Sequence, residues 1–222
     1  IKNWFKAYKI LREYRPDVIL SYLFFSNTVL RVLKPLFRYK IIILEENTYF
    51  NKTRLKILVD KILSYLTYKI IAPARTVKDF TIKQEKINPN KFVVIHHSIN
   101  YKGIQSEIKN HHQDELKQKL GFKKEDKLVI NAARINWQKN HRLLIDGFAE
   151  FSKKNSAYKL IILGEGPLRG SLSEYVKDLG LDDKIFLVGY KSNVFDYMFI
   201  SEFFVLTSKM EGFSLVCVEA MA

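Results

Sequence analysis

Short runs of aliphatic and β-branched residues recur along the chain, separated by stretches in which apolar positions repeat every three or four residues. The runs are Val18–Leu23, Lys40–Leu44, Lys69–Ala72, Phe92–Ile95, Leu128–Ala132, Lys159–Leu163, Ile185–Val188 and Phe203–Leu206. Most are continuously apolar, as expected of parallel strands covered on both faces. Between them, Leu55, Leu58, Val59, Ile62 and Leu66 trace one helical stripe, and Leu143, Leu144, Phe148 and Phe151 another. Strand and helix alternate throughout, which predicts an α/β fold of doubly wound parallel sheets. The segment Asn100–His112 is polar and lacks a period, and a short helix over Asp114–Leu120 follows, ended by Gly121. A boundary set there divides the chain into domains of residues 1–105 and 106–222.

At 222 residues, with 47% hydrophobic and 27% charged positions, the chain can build sizeable cores and is not of a disordered composition. The longest charge-free stretch, Val18 to Leu30, is too short for the roughly 18 residues of a membrane-spanning helix. One cysteine, Cys217, leaves no internal disulfide and no cysteine-rich zinc site, and a reducing, cytoplasmic setting fits best. Flanked by Val216 and Val218, it reads as a small buried hydrophobe. The chain opens at Ile1 and stops at Met221-Ala222 inside a helical pattern, which reads as a piece lacking both ends.

The net charge of +14 is unevenly spread. Residues 1–110 hold 21 Lys and Arg against 8 Asp and Glu, whereas residues 111–222 hold 16 against 15. A basic first half suits an anionic surface, lipid or nucleic acid, or is simply a set of solvated helix faces. The cations form stripes: Lys2, Lys6 and Lys9, then Arg31, Lys34 and Arg38, then Lys52 with Lys56. If Trp4, Phe5 and Tyr8, or Leu55, Leu58 and Ile62, pack inward, these cations face outward. No stacking aromatics are interleaved with them and no nucleic-acid motif is present, so an anionic membrane is the partner favoured.

Three loops carry candidate chemistry. After the strand ending at Leu163 comes Gly164-Glu165-Gly166-Pro167-Leu168-Arg169-Gly170, close to a dinucleotide fingerprint. Its third glycine arrives one residue late and Pro167 takes the helix start, so a structural βα turn is the better reading. After Ala132, the loop from Ala133 to Asn140 puts Arg134 and Lys139 at the carboxyl end of a strand, where open α/β sheets bind ligands. Arg offers a planar fork and Lys a point charge, and both suit a diphosphate. After Leu206, the run from Ser208 to Ala220 places Glu211 and Glu219 eight residues apart, about two helical turns. Gly212 allows a close turn into a helix whose free N–H groups form an anion site, and carboxylates accept hydrogen bonds from sugar hydroxyls. Equally, Glu211 can merely complement the helix dipole and Glu219 be solvated. His96 and His97 are adjacent on a strand, pointing to opposite faces, and cannot share a metal. His111 and His112 read as solvated linker residues.

Taken in order, Arg134, Gln138-Lys139-Asn140, Gly164 to Arg169, Val188-Gly189, Glu211-Gly212-Phe213 and Glu219 to Ala222 resemble the donor half of a family-four retaining glycosyltransferase. Residues 1–100 resemble the acceptor half only loosely, through strand order and the crossover from Val93 to Asn100. The resemblance implies GT-B architecture, two Rossmann-like domains, with a UDP-sugar or GDP-sugar as donor substrate and no resident cofactor or metal. Arg134 and Lys139 would hold the donor diphosphate, Glu219 the ribose hydroxyls and Glu211 the donor sugar. Main-chain groups of Gly212, Phe213, Ser214 and Leu215 would meet phosphate or sugar, and Gly189, Tyr190 and Lys191 would line the base. A hydroxyl of a lipid-linked or polysaccharide acceptor would attack the anomeric carbon with retention, at the inner face of the cell membrane. On the acceptor side, Glu46 is the candidate catalytic group, at a strand end where relatives often carry His. The alternatives are a sugar-phosphate or sucrose-type transferase with a soluble acceptor and a non-catalytic basic nucleic-acid module.

Overall fold

The computed structural model describes residues 2–109 and 112–222, without the side chains of residues 2 and 3. His111, one of the two linker histidines, and the side chain of Lys2 therefore lie outside the described residues. The chain forms two compact units: Ile1–His97 with Glu211–Phe213, and Ser98–Met210 with Ser214–Ala222. The division falls at His97 rather than after residue 105, because the helix Tyr101–Ile108 buries Ile104 within the second unit.

All eight expected strands form, and every pairing is parallel. In the first unit the order along the chain is α1 (Lys2–Tyr14), β1 (Val18–Tyr22), α2 (Phe24–Leu33), β2 (Lys40–Leu44), α3 (Arg54–Leu63), β3 (Lys69–Ala72), α4 (Arg75–Glu85) and β4 (Phe92–Val94). The sheet order β1-β2-β3-β4 follows the sequence. Right-handed crossovers then place successive helices on one face. Ile41 and Ile43 of β2, Ile70 of β3 and Phe92 of β4 share a core with Leu11 of α1 and Val29 and Leu33 of α2. Burying each such side chain contributes about 1.5–3 kcal/mol. Positions of the opposite parity, Val18, Leu20, Tyr22 and Val93, are exposed. Among the described residues this sheet is covered on one face only, where the apolar runs led us to expect two.

Helix α3 reverses its expected orientation. Leu55, Leu58 and Ile62 are exposed, and Asp60 is buried in their stead. Its partner is Arg31 of α2, 2% exposed, whose guanidinium meets the Asp60 carboxylate at 2.5 Å and the Asn27 main-chain oxygen at 3.0 Å. Arg31 is thus no surface cation, and Lys34 is half-buried, donating to the Leu66 carbonyl at 2.6 Å. Only Arg38 of that stripe is exposed. The sequence Arg-Leu-Lys-Ile-Leu-Val-Asp-Lys-Ile-Leu carries apolar residues on more than one helix face. Periodicity cannot choose among them, and the Arg31 pairing does. On α1, Trp4 packs on the core while Phe5 and Tyr8 are exposed.

The second unit contains α5 (Tyr101–Ile108), α6 (Gln113–Lys119), β5 (Lys127–Ala132), α7 (His141–Lys154), β6 (Tyr158–Leu163), α8 (Arg169–Asp178), β7 (Ile185–Gly189), α9 (Val194–Phe199), β8 (Phe203–Phe204) and α10 (Leu215–Ala220). Here the sheet is covered on both sides. Val129, Leu160 and Ile162 pack with Leu144, Phe148 and Val176 of α7 and α8. The alternate residues Leu128, Ile130 and Ile161 pack with Leu116 of α6 and Tyr197 of α9. The order β7-β6-β5-β8 gives the doubly wound arrangement that the continuously apolar runs predict. Among the described residues no helix is long and apolar enough to cross a membrane.

Candidate functional site

From β5 the sheet of the second unit runs one way to β6 and β7, and β8 returns to the other edge of β5. That reversal is a topological switch point, where doubly wound sheets open a crevice beyond the carboxyl ends of their strands. The loops leaving β5 and β8 meet there and are sewn together. Thr207 donates from Oγ1 to the main-chain oxygens of Lys139 at 3.2 Å and Asn140 at 3.1 Å. The Lys209 N–H donates to the Gln138 carbonyl at 2.8 Å, and Gln138 returns its side-chain amide to Met210 at 3.0 Å. The Lys209 ammonium sits 4.5 Å from the Trp137 ring centroid. Lower down, the buried Asn131 of β5 donates to the Val205 carbonyl at 2.8 Å.

Arg134 is exposed on this frame, and Lys139 ends a turn of 3-10 helix over Trp137–Lys139. Asn140 then takes a left-handed φ of 51°, which Asn tolerates better than most residues, and α7 begins. Its first residue, His141, is 2% exposed, and neither ring nitrogen has a protein partner. Burial, reinforced by the Lys139 charge, lowers its pKa to about 4, so the imidazole is neutral at physiological pH. A neutral ring at the start of α7 leaves the positive charge of this loop to Arg134 and Lys139.

The glycine-rich turn after β6 serves the same frame. A Cβ at Gly164 or Gly166 would overlap the main-chain oxygens of Ala133 or Ile135. Ile135, wholly buried, also donates its N–H to the Glu165 carbonyl at 2.9 Å. These glycines bring two backbones together, in keeping with a structural turn. Pro167 does not open α8 as expected: it lies in the turn before, and the helix begins at Arg169. Tyr190 and Lys191 are exposed beyond Gly189, whose carbonyl accepts the Gly164 N–H at 2.8 Å. The helix after β8 is short: α10 is six residues, carries Glu219 one position before its end, and follows Ser214, whose buried hydroxyl has no protein partner. Leu215 is exposed, and Cys217 is half-buried rather than buried.

The first unit holds the remaining candidates. Glu46 follows β2 and places its carboxylate 3.2 Å from Nε2 of His97. The segment Glu211–Phe213 belongs to this unit, with the Phe213 ring edge-on to His97 at 5.8 Å. A Cβ at Gly212 would overlap the Glu46 carbonyl oxygen, so only glycine fits. His96 and His97 lie beyond β4, which ends at Val94, instead of on it. They engage different groups: Nδ1 of His96 donates to the Pro73 carbonyl at 2.9 Å. Among the described residues no three His, Cys, Asp or Glu side chains gather to hold a metal. His141 and Thr207 were not singled out from sequence, and His97 and Gln138 were named there without these contacts. The partners of His97, Thr207 and Gln138 lie tens of residues away, and no local pattern announces them or the burial of His141.

Comparisons with known proteins bear on the family and the fold. The family described as "Glycosyl transferases group 1" matches residues 112–222. N-acetylgalactosamine-N,N'-diacetylbacillosaminyl-diphospho-undecaprenol 4-alpha-N-acetylgalactosaminyltransferase of Campylobacter jejuni is 31% identical over 177 residues, covering 78% of this chain and 45% of that protein. The crystal structure of Anabaena HepE in complex with UDP superposes with a TM-score of 0.83 at 18% identity, over 98% of this chain and 60% of its own. Sucrose-phosphate synthase of Thermosynechococcus elongatus superposes with a TM-score of 0.76 at 18% identity, over 98% and 56%. At such identities the two structures speak for the fold, GT-B. The chain spans about half the length of the curated relatives it matches, 45% and 57% of the first two.

Proposed function

Because the chain belongs to the group 1 glycosyl transferases, we propose that it moves a sugar, with retention of configuration, from a nucleotide-diphospho-sugar to a hydroxyl of a lipid-linked or polysaccharide acceptor. The observation that carries this reading is the sewn pair of loops at the switch point of the second unit, which presents Arg134 and Lys139 at the mouth of the sheet. In the reaction the acceptor oxygen forms a bond to the anomeric carbon as the bond to the diphosphate oxygen breaks. The departing diphosphate takes the hydroxyl proton. Negative charge grows on that leaving group, and Arg134 and Lys139 stabilise it most in the transition state. Two fixed cations do this without a metal ion. Glu219 accepts hydrogen bonds from the ribose hydroxyls and Glu211 from the donor sugar, and Tyr190 and Lys191 border the base, UDP and GDP sugars being the favoured donors. Glu46, paired with His97, serves the acceptor side.

The reading extends to an anionic membrane surface on the inner side of the cell membrane. Lys6, Lys9 and Arg12 are exposed on α1 beside exposed Phe5, Ile10 and Tyr14, and Arg54, Lys56 and Lys61 are exposed on α3 beside Leu55, Leu58 and Ile62. Mixed basic and apolar helix surfaces suit a lipid interface. The C. jejuni relative is named for a diphospho-undecaprenol substrate, which supports a lipid-linked acceptor.

The test is a panel of nucleotide sugars offered to the intact protein with undecaprenyl-linked and soluble acceptors, with and without EDTA. Transfer to the lipid-linked acceptor that survives EDTA is the expected result. Transfer to soluble sugars or sugar phosphates alone would favour the sucrose-type alternative. Loss with EDTA that magnesium or manganese restores would mean that the two cations do not suffice. Tight binding of RNA or DNA without transfer from any donor would favour a nucleic-acid module.

A further inference from the structure

We infer that Lys52 is a positioning residue for the acceptor side: its ammonium locks the loop between β2 and α3, and thereby sets where Glu46 presents its carboxylate. This rests on the function proposed above. Three carboxylates from three elements converge on Lys52. Glu45, just past β2, lies at 3.2 Å, Asp60 of α3 at 3.1 Å, and Glu85 of α4 closer still. Arg31 of α2 shares Asp60. None of these five side chains exceeds 11% exposure.

Two cations face three carboxylates out of water, an arrangement that is poor at stabilising a fold. Desolvation of buried ions commonly cancels their attraction, and apolar residues of equal volume do as well or better. Consistent with the charge deficit, burial raises Glu45, and it raises Glu85 to about 7 against the pull of Lys52. Such a cluster supplies defined geometry instead.

Here it defines the loop Glu45–Lys52. The loop's first residue is held to β3 by the Glu45 N–H donating to Ile71 at 2.9 Å. Its middle is held to α4, where Gln84 donates to the Tyr49 carbonyl at 3.0 Å and the Phe50 ring meets Phe80 edge-on at 4.5 Å. Lys52 closes the circuit by binding Glu45 at the loop's start together with Glu85 and Asp60 behind it. Within that closed span sits Glu46, beside His97. Nearly buried itself, Lys52 acts through the loop and not on a substrate.

The experiment compares Lys52→Met, Lys52→Arg and, as a control on the exposed side of α3, Lys61→Met in the intact protein. Lys52→Met should lower kcat at least ten-fold and leave the donor KM within two-fold. Lys52→Arg, which restores a cation, should recover most of that loss. The ring-nitrogen NMR signals of His97, assigned through a His97→Gln variant, should shift in Lys52→Met and stay in place in Lys61→Met. A kcat within two-fold of the unaltered protein, a donor KM that rises as kcat falls, or unmoved His97 signals would overturn the inference. Should Lys52→Met fail to fold, Glu85→Gln, which removes one of the three carboxylate charges, should move the same readouts in the same direction. If no donor yields transfer with the unaltered protein, the functional reading fails on its own, and the His97 signals still decide the positioning.

Discussion

Thr207 and Asn140 are 67 residues apart in sequence, yet the Thr207 hydroxyl donates to the Asn140 main-chain oxygen at 3.1 Å and shares itself with Lys139 at 3.2 Å. This hydroxyl thus ties the loop after β5, with its diphosphate-binding candidates, to the loop after β8, beside the bonds that join Gln138 to Lys209 and Met210. Thr207→Val keeps the shape and deletes the donor, which should cost about 1 kcal/mol. Most of that loss should fall on the loop's arrangement, so nucleotide-diphosphate affinity by calorimetry should drop about five-fold while the melting temperature hardly moves. An unaltered affinity would show that the crevice does not depend on this tie.

The Arg31–Asp60 pair makes a prediction about stability. Breaking a buried pair strands its partner and costs about 3–5 kcal/mol. Asp60→Ala should therefore lower the denaturation midpoint of the first unit markedly, and Arg31→Glu should prevent its folding. Substitution of both residues by apolar ones should be far milder than either single change. A double variant whose cost equals the sum of the two single costs would mean that the pair is not coupled.

Eight strands, their parallel order in an α/β fold and the place of the loop carrying Arg134 and Lys139, directly after β5, were legible in the sequence, because continuous apolar runs between amphipathic stretches have few other solutions. Where Arg31, Leu55, Leu58 and Ile62 would point was not. The α3 sequence is apolar on more than one face, and the choice rests on Asp60 finding Arg31, 29 residues distant. The Glu46–His97 contact, across 51 residues, was invisible for the same reason: each residue is unremarkable until the sheet aligns them. The glycines at 164 and 166 were visible but ambiguous, since the same spacing that admits a pyrophosphate also admits a second backbone.

Opposite pH responses are expected of the two units. In the first, Glu85 has its pKa raised from 4.5 to about 7 in the folded state. Between those values the unfolded chain is ionised and the folded one protonated, so stability is full below about 4.5 and is lost as pH rises through about 7. In the second, His141 has its pKa lowered from 6.5 to about 4. There the unfolded chain is protonated and the folded one neutral, so stability is full above about 6.5 and is lost as pH falls through about 4. Each is worth up to about 3 kcal/mol. Hydrogen exchange between pH 4.5 and 6.5 should show protection falling with pH at Ile41 and Ile43 and rising at Leu160 and Ile162. Glu85→Gln should flatten the first slope alone. Parallel slopes in both units would refute the assignment.

Membrane association should depend on α1 rather than on Arg31 and Lys34, which are engaged within the first unit. Each exposed cation near an anionic leaflet contributes about 1 kcal/mol, fading within a Debye length of about 8–10 Å. The intact protein should sediment with vesicles containing phosphatidylglycerol, not with phosphatidylcholine alone, and release as salt is raised. Charge reversal at Lys6, Lys9 and Arg12 should weaken binding well over ten-fold and leave nucleotide affinity unchanged. Equal partition onto neutral and anionic vesicles would reduce these cations to solvated surface.

The central claim, a donor diphosphate clamped by Arg134 and Lys139 during a retaining transfer, is tested most directly by following one reaction by NMR. The anomeric signals of donor and product report configuration and rate together, in the unaltered protein and in Arg134→Ala and Lys139→Ala. The product should carry the donor's anomeric configuration, and each variant should turn over about 100-fold more slowly, since one fixed charge on a developing anion is worth roughly 3 kcal/mol. A product of inverted configuration, or rates in both variants equal to that of the unaltered protein, would contradict the account.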